Sequence, residues 1–334
     1  MFTKPIHTKL LYLAIFIAAL LLPFYVPDAY IFQIVTMSLL FAISTSAMNL
    51  IIGFTGQASL AHGAFFGIGA YGVAIMTKAG ITFWLALPAS ALIAAVVGIF
   101  VGLPTLRTRG SYFAITTLCF GVILWIVAGN WVEVTGGHNG IFGIPRPPSI
   151  PVPFFGEIPL YTQTAMYYLA LIFLLITLFA LYRIVYSVFG LSFMAIRNNE
   201  PLADAVGINT FATKLVSFII ANFIAGLAGG IYATIIGAVS PTAAGYMMTF
   251  NFLIYLILGG MATLAGPVVG AFAIPVLMEF MQFLGDFRLL IFGALLVVVI
   301  IYFPQGFVGG LRSLNQKVVA WRQQKTLESG HASR

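Results

Sequence analysis

A chain of 334 residues that is 61% hydrophobic and only 7% charged carries far fewer charges than the roughly 25% of a soluble domain, so lipid is the solvent for most of it. Its apolar runs are continuous rather than alternating, which excludes a transmembrane barrel and leaves an all-α polytopic membrane protein. The net charge of +7 belongs to membrane topology rather than to nucleic acid, and the single Cys119 excludes a disulfide framework.

A span needs about 20 apolar residues. That ruler predicts about ten transmembrane helices, at 10–26, 30–52, 63–77, 82–103, 111–130, 162–186, 212–236, 247–260, 266–284 and 287–304. The third and eighth are short and leave room for a count of eight or nine. The first reads as a span and not as a cleaved signal, because it runs to Val26 and ends in Pro23, Pro27 and Asp28 without a small-residue cleavage site. Ten spans put Lys4, Lys9, Arg107, Arg109, Arg183, Arg197, Lys214, Arg312, Lys317, Arg322, Lys325 and Arg334 on one side. Only Lys78, Arg146 and Arg288 fall on the other. The basic side is cytoplasmic, so both termini are predicted to be cytoplasmic. The membrane domain then covers 1–310, with an outer loop at 131–161, an inner segment at 187–210, and a polar basic tail at 311–334 that frays or lies on headgroups.

The run GFTGQASLAHGAFFGIGAYG, residues 53–72, holds six glycines, each costing close to 1 kcal/mol in a helix relative to alanine. Close packing explains many of them: Gly63/Gly67, Gly98/Gly102, Gly226/Gly230 and Gly266/Gly270 all have GxxxG spacing. It does not explain GFTGQAS, where polar and glycine residues interrupt two apolar runs. Irregular backbone at membrane depth is tolerated where it is buried in protein or lines a cavity. Residues 56–67, GQASLAHGAFFG, and 260–270, GMATLAGPVVG, share G-x-A-[S/T]-L-A-G-x-x-x-G once His62 is omitted. Paired Gly/Pro-interrupted segments in two halves point to a transport path. The expected path residues are Gly56, Gln57, Ser59, His62, Gly63, Thr263, Gly266 and Pro267. His62 has no ligand at metal spacing, so no metal site is expected. Packing is its ordinary role and path lining the alternative. Glu279 is the one acid well inside a predicted span and is a functional candidate on that ground.

Beyond the outer loop, where TGGHNG is followed by the proline-rich IPRPPSIPVPFFGEIP that favours extended chain, the inner segment SVFGLSFMAIRNNEPLADAVGIN is the most informative soluble piece. Asn199 can cap a short helix, Pro201 suits its first turn, and Gly207 can stop it. Leu202, Ala203 and Val206 form an apolar edge with Asp204 opposite. So short a helix needs something to dock on. Glu200 and Asp204 would be repelled by anionic lipid, which favours a protein partner. The sequence has no Gly-Lys pair and therefore no phosphate-binding GxxxxGK[S/T] loop. It has no H-E-x-x-H, no G-x-S-x-G and no paired acids within a span, so no catalysis is expected in the chain itself.

GFTGQASLAHGAFFGIGAYG, TGGHNGIFGIP, AIRNNEPLADAVGIN with KLVSFIIANFIAGLAGGIYA, and GGMATLAGPVVGA together resemble the LivM-type permease family over about residues 35–310. These are membrane subunits of ABC importers for branched-chain amino acids. The resemblance implies alternating access with a LivH-type sister permease, two cytoplasmic P-loop ATPases that carry the ATP and Mg, and a periplasmic or lipid-anchored binding protein. This chain would bind no cofactor and would reside in the bacterial inner membrane. It further implies that Arg197, Asn198, Asn199, Glu200, Pro201, Leu202, Asp204 and Gly207 belong to the segment that contacts an ATPase. Ala58 and the order Ala61-His62-Gly63 stand where the family more often has Leu and Gly-His-Ala. These swaps leave the class intact but leave open substrates such as urea or short amides. A stand-alone secondary carrier is the other reading, and it would need a coupling-ion site that the spans do not supply.

Overall fold

The structure, a computed structural model, describes residues 17–25, 28–108, 110–152, 156–158, 160–302 and 306–310. Helix α1 covers 17–25; the remainder of the first predicted span and the tail 311–334 lie outside the described residues. Each later predicted span carries a helix: α2 Ala29–Asn49, α3 His62–Lys78, α4 Phe83–Thr105 and α5 Ser111–Asn130. The short α6, Val132–Thr135, opens the outer loop, and α7 spans Gln163–Val185. Two helices, α8 Val188–Asn198 and α9 Glu200–Ala205, fill the inner segment. There follow α10 Thr210–Ile236, α11 Tyr246–Gly259, α12 Gly266–Phe280 and α13 Arg288–Tyr302.

Among the described residues, six candidate spans are long and apolar enough to cross a bilayer: Ala29–Phe54, Phe83–Thr105, Ser111–Asn130, Gln163–Val185, Thr210–Ile236 and Gly266–Gly285. The apolar helices Tyr246–Gly259 and Leu290–Val299 are shorter. At 1.5 Å per residue, the 14 residues of α11 reach about 21 Å, less than a hydrocarbon core of about 30 Å. The fold is thus an all-helical polytopic membrane protein with broken elements among its spans. In the outer loop, Ile141–Phe142 pairs with Ala238–Val239 and Ile150–Val152 pairs with Gly156–Ile158, both antiparallel.

Helix α2 is the centre of the bundle, buried almost continuously from Ser38 to Asn49 and flanked by α7, α10, α11 and α12. Beside it α3, α4 and α10 pack backbone to backbone. A Cβ at Gly69 would overlap the carbonyl of Gly226, and one at Gly229 would overlap the carbonyl of Phe66. Any side chain there would force α3 and α10 apart. The outward faces of α4, α5 and α7 are apolar instead of charged, with Leu85, Phe100, Tyr112, Ile115, Ile172 and Phe179 all exposed. A surface of that kind is stable against lipid or a partner helix, not against water.

Candidate translocation path and docking helix

The opening motif is not a helix throughout. Past Asn49 the chain widens into a π-helical turn, Leu50–Phe54, a distortion that often marks functional positions. Thr55 closes it, its hydroxyl and its N–H both donating to the Leu50 carbonyl at 2.8 and 3.1 Å. The Gln57 N–H reaches back to the Ile51 carbonyl at 3.0 Å. Residues 56–61 then run without regular structure until α3 begins at His62. Side chains of neighbouring helices support the segment: the Leu60 N–H donates to Thr117 Oγ1 of α5 at 3.0 Å, and just inside α3 the Gly63 N–H donates to Thr249 Oγ1 of α11 at 2.8 Å. That is how irregular chain survives inside a bundle.

His62 is fully buried, with Nε2 2.9 Å from the Ser44 carbonyl of α2. Its ring stands edge-on to Phe252, centroids 5.9 Å apart. Hydrogen bonding to a carbonyl makes Nε2 the donor, and Nδ1 has no partner among the described residues. Ser59 is likewise buried with its hydroxyl unpaired, whereas Gly56 is exposed and Gln57 half-buried. Buried polar atoms without partners are uncommon and call for a reason.

The second motif sits against the same end of α2. Asn49 accepts from the Ala262 N–H at 2.9 Å and donates to the Thr263 carbonyl at 2.8 Å. Thr263 Oγ1 in turn accepts from the Gly266 N–H at 2.9 Å, and Pro267 occupies the first turn of α12. Gly56 and Gly260, which correspond in the two motifs, both have positive φ, 76° and 121°. Asn49, a residue that motif comparison did not single out, thus ties the second cluster to the end of α2 from which the first continues.

The inner segment folds as two helices, not one. Asn199 Oδ1 accepts from the Leu202 N–H at 3.1 Å, Pro201 stands in the first turn of α9, and Gly207 follows with φ 89°. The caps are those expected. The apolar edge differs from expectation: Ala203 is buried against the body, while Leu202 and Val206 point outward, 61% and 70% exposed. Glu200 also turns inward. Its Oε1 pairs with Nζ of Lys214 at 2.7 Å, and Lys214 is only 3% exposed. Arg197, Asn198, Pro201 and Asp204 are exposed. Arg197 lies under Gly56, where a Cβ would come within 3.0 Å of its Cγ and 3.2 Å of its Cα. The motif that interrupts the membrane run thus rests directly on the inner segment. No group of three or more His, Cys, Asp or Glu that could hold a metal occurs among the described residues.

The family model described as "Branched-chain amino acid transport system / permease component" matches residues 30–300. The chain is 32% identical over 321 residues to the high-affinity branched-chain amino acid transport system permease protein LivM of Salmonella typhimurium, covering 91% of this chain and 75% of that protein. The LivM of Escherichia coli K12 matches to the same extent. The probable branched-chain amino acid transport permease protein LivH of Methanocaldococcus jannaschii is 26% identical over 66% of this chain and 70% of its own. No solved structure matches.

Proposed function

The chain belongs to the family of permease components of branched-chain amino acid transport systems, and from that premise we propose that it forms one half of a two-permease pore driven by separate ATPases. It is a permease component, not an enzyme. In this reading the sister subunit is LivH-like, two P-loop ATPases bind the ATP and Mg, and a binding protein delivers leucine, isoleucine or valine from outside. The membrane segments number about ten in this reading, some of them broken elements such as α11 that do not cross alone, and both termini are cytoplasmic. Support for that orientation comes from one end of the bundle, where Arg197 lies beneath Gly56 and Lys214 lies beneath α9. The α4 C-terminal turn, which leads to Arg107, packs there too, through Gly102 against Leu215.

One observation carries the mechanism: the continuity from α9 to His62. Leu202, Val206 and Asp204 offer an outward face for an ATPase. The Glu200–Lys214 pair fixes α9 to α10, and Arg197 meets Gly56 at the foot of the irregular segment. Movement of α9 on ATP-driven closure would be passed to α10 and to residues 56–61 together. His62 and Ser59, buried with unsatisfied atoms, would then exchange their closed packing for contact with a passing zwitterion. Interactions that differ between two states are what such coupling requires.

Purification of the chain from its native membrane in mild detergent tests the assembly. The expected result is co-purification of a second permease and two ATPases. A chain that purifies alone and moves leucine in liposomes without ATP would be a secondary carrier.

A further inference from the structure

At the end of α2 remote from α9, the Tyr30 hydroxyl donates to Oε1 of Glu279 at 2.9 Å. The two residues stand on the rim of a 290 Å³ groove between α2 and α12, whose other lining residues are Gln33, Ile34, Met37, Phe41 and Pro275. That volume lies at the small end of ligand pockets, about 300–1,000 Å³. The groove is chemically divided. Its lining combines a carboxylate, a phenol and an amide, from Glu279, Tyr30 and Gln33, with the apolar Ile34, Met37, Phe41 and Pro275.

A carboxylate in an apolar spanning helix is expensive and is kept where it has work to do. Glu279 lies within the candidate span Gly266–Gly285, and among the described residues no Lys or Arg forms an ion pair with it. Among the described residues its hydrogen bond is the one from Tyr30, which leaves further acceptor capacity. Packed rings connect the groove to His62. Phe41 in its lining is in ring contact with Phe252, centroids 6.0 Å apart, and Phe252 is the ring against His62.

We propose that this groove is the outer receiving site for the transported amino acid. Glu279 and Tyr30 bind its ammonium group, the Gln33 amide meets its carboxylate, and the apolar lining takes its aliphatic side chain. The assignment rests on the permease reading above and deepens it. Charge decides the ligand class: Glu279 attracts an ammonium, while Arg288 lies within electrostatic range of Tyr30, so a zwitterion is matched better than a simple anion or cation. The same ammonium chemistry is offered by a phosphatidylethanolamine headgroup, so the test must separate the two.

The test uses the assembled transporter with Cys119→Ser and Met37→Cys in this chain, in nanodiscs of phosphatidylglycerol or of phosphatidylethanolamine. The rate at which a charged maleimide labels the thiol introduced at position 37 is measured with leucine or with 4-methylpentanoate, which lacks the ammonium. Leucine is expected to protect in phosphatidylglycerol and 4-methylpentanoate is not. Glu279→Gln should raise the half-protecting leucine concentration about tenfold, the scale of one charge-assisted hydrogen bond. Tyr30→Phe should raise it by a smaller factor, and serves as the variant if Glu279→Gln does not assemble. Equal protection by both compounds, or protection indifferent to both substitutions, would overturn the assignment. So would slow labelling that follows phosphatidylethanolamine and not leucine, as would a groove that labels only after the partner permease is removed. ATP-driven leucine uptake by the wild-type complex separates the two levels. If uptake is present and protection absent, the groove alone is wrong; if uptake is absent, the permease reading for leucine fails first.

Discussion

Gly56 carries two constraints at once, a φ of 76° and a Cβ position 3.0 Å from Arg197. Left-handed backbone costs a residue with a side chain about 1–2 kcal/mol, and the added methyl would lift the 56–61 segment off α8. Gly56→Ala is therefore expected to leave assembly intact and to lower ATP-driven uptake more than ATP hydrolysis, measured side by side in proteoliposomes. Asn49 makes the matching argument for the other motif. Asn49→Leu would strand the Ala262 N–H and the Thr263 carbonyl, at about 1–3 kcal/mol for each buried group left without a partner. Asn49→Asp keeps the acceptor but turns a second carboxylate oxygen toward the Thr263 carbonyl in a buried site, so it should lose at least as much, read as the fall in melting temperature of the purified complex. At this scale the sequence was only partly legible. His62, Gly63 and Thr263 stand out as polar or small residues in apolar company. Asn49 does not, because its partner Ala262 is 213 residues away and no local pattern announces so distant a contact.

Among the elements, α9 was readable in detail because caps are local chemistry: Asn199, Pro201 and Gly207 each act within a turn of their own position. The facing of α9 was not readable, since it depends on Lys214 of α10. Lys214→Met would remove the buried ammonium that pairs with Glu200 Oε1. Removing one member of a buried pair typically costs about 3–5 kcal/mol, and because Glu200 keeps 18% exposure, the loss should fall toward the lower end. Combining it with Glu200→Leu should recover most of that stability, measured by thermal unfolding of the complex. Leu202→Glu with Val206→Glu makes the opposite prediction. Both positions are exposed, so stability should change by no more than about 0.5 kcal/mol for each. Co-purification of the ATPases should nevertheless be lost. ATPase retention by that double variant would remove α9 from the docking surface.

For the molecule as a whole, helix positions were legible because lipid leaves the backbone few choices. Every N–H and C=O must be satisfied within the segment, so the length of an apolar run translates almost directly into a helix. Where that translation failed, at Leu50–Phe54 and at 56–61, side chains and neighbouring helices supply the missing hydrogen bonds. Those partners, Thr117 and Thr249 among them, become apparent only once α5 and α11 are packed. The apolar outer faces and the gathering of Arg197, Lys214 and the α4 C-terminus at one end fit the proposed pore wall with one face for the ATPases.

ATP-driven leucine uptake by proteoliposomes containing the complex co-purified with this chain tests that account most directly. Accumulation that requires ATP inside the docking compartment and binding protein outside, and that is abolished by Leu202→Glu with Val206→Glu, is the predicted result. Leucine accumulation without ATP, or uptake undiminished by that double substitution, would contradict it.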